Sequence, residues 1–308
     1  LPIARIVRDA IENCLFDARE LEQSIKSRKQ KLRVNMEKVS VLAQRSFRQR
    51  FFNSSEKYSR VTNPEDLDFI TQEELMQFHQ EHYLKGLKKM VLVGNFSQSE
   101  IDSFMDVFGS WASEETTTFE TGFENIKGYA HLEKKDALQT AIRIGRHLFN
   151  KTHADYSDFL VLNTIIGDYF GSRLMRNIRE DKGYTYGIGS MVSEMEHTGY
   201  FMIGTEVGTE VKDLALAEIK YELDKLKTKL VPQDELDLVK NYMLGQLLKS
   251  ADGPYSMMDL FLSVEQHGLN MDFYNQVIHS INSITPERIK ELANKYLNWD
   301  DFTIVTAG

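Results

Sequence analysis

Apolar residues recur at helical spacing from the start of the chain: Ile3, Ile6, Val7, Ala10, Ile11 and Cys14 fall on one stripe, which predicts an amphipathic helix over residues 3–14. The pattern continues over residues 18–48 as one longer helix, and residues 71–84 give a third. Over residues 89–93 it changes to a short apolar run closed by Gly94-Asn95, the signature of a buried strand. Ser97-Gln98-Ser99-Glu100 forms a capping box ahead of Ile101, Phe104, Met105 and Phe108, so a further helix follows. Residues 112–126 are rich in Glu and Thr, carry no basic residue, and read as an interdomain linker.

Past the linker the pattern is that of a mixed domain. Residues 138–146 alternate as a strand, and residues 156–166 and 172–182 predict helices. Residues 184–192 and 199–207 predict an antiparallel pair around Glu196-His197-Thr198. Long helices are expected at 211–228 and 233–249, shorter ones through 255–297, and a last strand at 302–306. This mixture predicts an α+β fold, with helices packed on one face of a mainly antiparallel sheet. Met257, Met258, Leu260, Phe261 and Leu262 read as core, and Glu194, Glu196 and His197 as a solvent-exposed hairpin tip.

The chain also repeats itself. Ile70-Thr71-Gln72-Glu73-Glu74-Leu75 returns as Ile284-Thr285-Pro286-Glu287-Arg288-Ile289, and Met90-Val91 and Gly94 return as Ile304-Val305 and Gly308, all 214 positions apart. Glu20-Leu21 and Leu32 match Glu235-Leu236 and Leu247 at a spacing of 215. Two copies of one unit are therefore expected. Residues 1–111 would be the C-terminal half of the first, residues 112–127 the linker, and residues 128–308 a complete second copy. By this spacing roughly the first 90 residues of copy one would lie upstream of Leu1.

Composition narrows the function. A net charge of -9 argues against a nucleic-acid partner, which needs clustered Lys and Arg. A single cysteine, Cys14, excludes an internal disulfide, and no apolar run reaches the length of a membrane span. Nothing in the sequence assigns a compartment. His79-Gln80-Glu81-His82 has His-x-x-His spacing and reads as a solvated helix face, and Gly-Asp-Tyr-Phe-Gly from Gly167 to Gly171 as a glycine-bounded turn with no phosphate loop implied.

The segment from Gly171 to Tyr186, Gly-Ser-Arg-Leu-Met-Arg-Asn-Ile-Arg-Glu-Asp-Lys-Gly-Tyr-Thr-Tyr, resembles the second-domain signature of the M16 metallopeptidases, the pitrilysin and mitochondrial-processing-peptidase-like family. Further matches lie at residues 70–83, at Val91-Leu92-Val93-Gly94 and over residues 239–245, so the resemblance covers nearly the whole chain. It implies two homologous α+β domains facing each other across a peptide-holding chamber. Zinc-bearing members carry His-x-x-Glu-His on a first-domain helix plus a distal Glu. Two imidazoles and a carboxylate then hold the ion with one position open for water.

No His-x-x-Glu-His occurs in this chain. The position equivalent to the distal Glu falls at or next to Lys31, and a supporting Glu seven positions earlier is replaced by Ser24. An ammonium repels a dication at close range, so no metal site is expected here. Arg179 and Tyr186 keep the types and the spacing of a family pair that reaches the substrate backbone. Read from the residues alone, Arg179 would be a last-turn helix cation and Tyr186 a strand aromatic. With the resemblance, the expectation is a zinc-less subunit that lends Arg179 and Tyr186 to peptide hydrolysis by a zinc-bearing partner subunit or in a homodimer. The alternatives are a zinc-dependent endopeptidase whose metal-binding segment lies outside this chain, and a non-catalytic peptide-binding or scaffold protein.

Overall fold

The computed structural model describes residues 2–84, 87–111 and 123–308. The helices run in chain order α1 (Pro2–Glu12), α2 (Ala18–Met36), α3 (Val39–Phe51), α4 (Glu56–Ser59), α5 (Gln72–Phe78) and α6 (Gln98–Phe108). Strands β1 (Gly128–Leu132) and β2 (Gln139–Leu148) follow, then α7 (Tyr156–Ile166), a π-helical segment Met175–Asp181, and strands β3 (Thr185–Glu194) and β4 (Gly199–Gly208). The chain closes with α8 (Lys212–Thr228), α9 (Gln233–Ser250), α10 (Pro254–Glu265), α11 (Asp272–Ser283), α12 (Pro286–Tyr296) and β5 (Thr303–Ala307). The α+β class is as expected. The linker expectation falls mostly on residues 112–122, outside the described residues.

Two compact units form, one from residues 1–35 and 62–118, the other from 36–61 and 119–308. The long helix expected over residues 18–48 is instead two, α2 and α3, broken at Glu37-Lys38. The break has a tertiary cause, because residues 36–61 pack with the sheet of the second unit. Residues 36–61, expected in the first copy, thus pack with the second unit.

In the larger unit the strand order is β1-β5-β2-β4-β3, antiparallel throughout except for the parallel pair β1 and β5. Strand β1 is absent from the sequence-based expectation, being short and neither clearly apolar nor alternating. On one face Ile142, Ile144, Phe201, Ile203 and Val207 meet Phe159, Leu162, Ile165, Ile219 and Leu292 in the main core. Burying each such side chain contributes roughly 1.5–3 kcal/mol.

The opposite face is not bare, which corrects the one-sided packing expected from sequence. There α3 lays Ala43, Phe47 and Phe51 against Ala141, Val305 and Ala307. Gly145 makes that approach possible, since a Cβ on it would stand 2.6 Å from Phe47 Cζ. With cover on both faces, every residue of β5 is buried. Helix α3 covers β2 and β5 and leaves the β4–β3 end of this face open.

The smaller unit keeps the expected capping box of Ser97 with Glu100 and forms a second one of Thr71 with Glu74. The strand expected over residues 89–93 is not formed: no described strand runs beside it to supply a hydrogen-bonding ladder. Its apolar residues Met90 and Leu92 instead line a 420 Å³ cavity with Ile3, Val7, Phe104 and Phe108. His79 is buried rather than solvated, stacked on Tyr83 and edge-on to Phe16. The core expectation for α10 also fails. Met257 and Phe261 are exposed, and only Val264 of that helix is fully buried.

Candidate functional site

The site grows out of one irregularity in β3. Gly189 pairs with Gly204 and Met191 with Met202, but between Thr185↔Val207 and Ile188↔Thr205 the register slips by one residue. Tyr186-Gly187 is therefore a β-bulge, a device that bends a strand and re-aims its side chains. Hydroxyls stitch the bulge into place. Thr185 Oγ1 accepts from the Gly187 N–H at 3.1 Å and donates to the Glu206 carbonyl at 2.7 Å, while Thr205 Oγ1 donates to the Gly187 carbonyl at 2.9 Å. Tyr186 is left 92% exposed. An unpacked phenol of this size is available to a ligand rather than to the core.

Tyr186 lines a groove of about 670 Å³ on the open end of the sheet, with Gln44 of α3, Arg143 of β2, Met191 and Met202 among its walls. Arg143 lies flat on the sheet: a Cβ built on Gly204 would stand 3.6 Å from its Nη1 and 3.8 Å from its Cζ. Its donors are engaged along the rim, Nε with Gln44 Oε1 at 3.3 Å and Nη1 with the carbonyls of Ile142 at 2.9 Å and Thr205 at 3.2 Å. Nη2 stands 3.7 Å from Glu206 Oε1. Burial draws the proton affinity of this guanidinium below its ordinary value and Glu206 opposes that. It keeps its charge at neutral pH. The sequence reading did not single out Arg143 or Gln44, because a strand arginine carries no local signal of what lies above it.

Arg179 sits on the segment Met175–Asp181, where the expected α-helix is wound wider. The Lys182 N–H reaches the Asn177 carbonyl at 3.0 Å, five residues back, and Gly183 at φ 67° ends the segment. Side chains pin it from behind. Asn177 Nδ2 donates to Glu218 at 3.0 Å and Glu222 at 2.9 Å on α8, and Arg173 grips Glu235 of α9 through two 2.8 Å bonds. The Arg179 guanidinium is half-buried over the Phe170 ring, 4.7 Å from its centroid. The structure thus puts Tyr186 on the groove, whereas Arg179 is not among the groove's described lining residues.

Two further expectations resolve differently. Glu194 is not a free hairpin-tip carboxylate: its side chain is 17% exposed, bonded to Lys151 at 2.7 Å and 3.6 Å from His267. Glu196 and His197 are exposed. Lys31 and Ser24 both lie exposed on α2. Among the described residues no group of three or more His, Cys, Asp or Glu is arranged to hold a metal ion. A zinc ion does not fit the donors this chain offers at residues 24–34, which include no carboxylate, imidazole or thiol.

The sequence profile of a family described as the peptidase M16 inactive domain matches residues 70–243. This chain belongs to the M16 peptidase family. Among curated M16 relatives, an uncharacterised zinc protease, YmxG, of Bacillus subtilis is 26% identical over 250 residues, 80% of this chain and 60% of the relative. A probable inactive metalloprotease, YmfF, of the same organism is 22% identical over 236 residues, 75% of this chain and 54% of that one. The crystal structure of a peptidase M16 inactive domain from Pseudomonas fluorescens superposes with a TM-score of 0.86 at 21% identity, over all of this chain and 74% of that chain. The resemblance read from Gly171 to Tyr186 is confirmed. This chain spans three fifths or less of the length of these curated M16 relatives.

Proposed function

We propose that this M16 chain is a zinc-less subunit that holds an extended peptide and presents it to a zinc-bearing M16 partner, either a separate subunit or the matching chain of a homodimer. In this reading residues 1–111 belong to an M16-like domain homologous to residues 128–308. Tyr186 and Arg179 are the two donors. A phenol and a guanidinium can each hold a peptide carbonyl, and a donor aimed at the developing oxyanion is worth about 3 kcal/mol in the transition state.

The observation that carries the reading is the bulge: a sheet that spends an irregular residue to expose a tyrosine beside a peptide-sized groove supports a role in binding rather than in packing. The description of the matched family as an inactive domain and of YmfF as a probable inactive metalloprotease supports the absence of catalysis by this chain alone. The description of YmxG as a zinc protease supports the competing reading, a peptidase whose metal ligands lie in a segment outside this chain.

The test is reconstitution. The chain is mixed with zinc-bearing M16 peptidases of its own organism, and cleavage of a quenched fluorescent peptide is followed. A gain in cleavage that Arg179→Ala and Tyr186→Phe each reduce supports the proposal. No gain with any candidate, or a gain that both variants leave intact, overturns it. Stoichiometric zinc together with hydrolysis by the full-length polypeptide alone establishes the competing reading.

A further inference from the structure

A guanidinium has two ways to recognise a ligand: its rim of N–H donors and its flat face. At Arg143 the rim is already committed to Gln44, to the Ile142 and Thr205 carbonyls, and loosely to Glu206. One face rests on Gly204, where a side chain longer than a methyl group would lift it away. What the groove can still use is the other face. The side chain is 14% exposed, and it is exposed as part of the groove lining.

The neighbours of that face are chosen for the same kind of guest. Met202 stands beside Gly204 along β4, and Met191 opposite it on β3, so two thioethers border the space over the guanidinium. Sulfur packs favourably on aromatic rings, and a guanidinium attracts the negative face of a ring. Glu206 neutralises Arg143 locally, so neither a carboxylate nor an ammonium on the guest finds an unanswered charge there. An aliphatic guest would gain burial but none of the ring-specific attraction.

We infer that Arg143 is the specificity-determining residue of the groove, selecting an aromatic side chain of the bound peptide, which stacks on its guanidinium between Met191 and Met202. The inference rests on the proposed peptide-holding role and adds to it the residue class that is held. It places the peptide across the face of the sheet, with Tyr186 at one side of the aromatic subsite.

The probe is a set of fluorescein-labelled decapeptides of Ser and Ala with one central Phe, Tyr, Leu, Glu or Lys, titrated into the full chain by fluorescence anisotropy. The expected result is binding at least fivefold tighter for Phe and Tyr than for Leu, Glu or Lys. Arg143→Lys keeps the charge but removes the planar face, so it is expected to erase the aromatic preference while binding of the Leu probe changes less than twofold. Met191→Ala, at an exposed position whose loss does not endanger folding, is expected to reduce the preference by a factor of two or more. Thermal melts confirm that each variant is folded. Peptides that bind without aromatic preference, or a preference that survives Arg143→Lys in a folded protein, overturn this inference and leave the peptide-holding role standing. Failure of every probe to bind at high micromolar concentration overturns both.

Discussion

The backbone N–H of Ser190 donates to the carbonyl of Gly167 at 3.2 Å, and the Ser190 hydroxyl bonds Asn163 Oδ1 at 2.8 Å. This latch ties the outer edge of β3 to the end of α7, and two positions away the Ile188 N–H faces Met175 Sδ at 3.5 Å. An edge strand normally offers its free N–H groups to another strand. Here those of residues 188 and 190 are engaged within the chain, so this stretch of the edge does not offer them to another strand.

The latch makes Gly167 intolerant of any side chain, because a Cβ would lie 2.5 Å from Ser190 N. Gly167→Ala is expected to destabilise the fold by about 2 kcal/mol, the usual cost of forcing a methyl group into a packed site. Its urea midpoint should fall accordingly. An unchanged midpoint would show that the latch yields without strain.

Tyr186→Ala should behave in the opposite manner. With the side chain 92% exposed, its removal is expected to change stability by less than about 0.5 kcal/mol. Peptide binding in the anisotropy assay should nevertheless weaken severalfold. A large loss of stability with unaltered binding would assign the tyrosine to structure instead.

Asp155 predicts an acid limb. Burial raises its proton affinity, but hydrogen bonds from Lys295, Tyr296 and Arg288 outweigh that and hold the carboxyl well below the usual carboxylate range. A depressed native value means that the unfolded chain binds the proton first. The stabilisation is therefore present above the unfolded value of about 3.9 and is lost as the pH falls below it. Asp155→Asn leaves Arg288 and Lys295 without their shared carboxylate, tying α7 to α12 less well, and is expected to cost about 3 kcal/mol at pH 7. Denaturant titrations at pH 7 and pH 3 should show the wild-type and variant curves converging at the lower pH.

His147 predicts a second, milder dependence. Burial is the largest influence and lowers its proton affinity, the Phe51 carbonyl opposes this, and Arg146 adds to it. Its Nε2–H donates to the Phe51 carbonyl at 2.9 Å, which caps the end of α3. The unfolded imidazole takes up a proton near pH 6.5 while the folded one takes it up only at lower pH, so stability falls as the pH drops through that value. His147→Gln should flatten the profile between pH 7 and pH 5, and an unaltered slope would point to another group.

What the sequence determined by itself is local in origin. The helices and the three long strands of the second half, together with the caps at Thr71 and Ser97, follow from periodicity and short-range hydrogen bonds that act within a few residues. Membership of the M16 family was legible in the run from Gly171 to Tyr186 for the same reason, since its pattern is contiguous. Tertiary structure alone decided the rest. Residues 89–93 have a strand's composition but no neighbouring strand to bond among the described residues, α3 leaves α2 to cover Ala141 and Val305, and an extra residue in β3 turns Tyr186 outward. Arg143 meets Gly204 from a different strand, 61 positions away. A side chain's partner at that separation is fixed by register and packing, which no window of sequence contains.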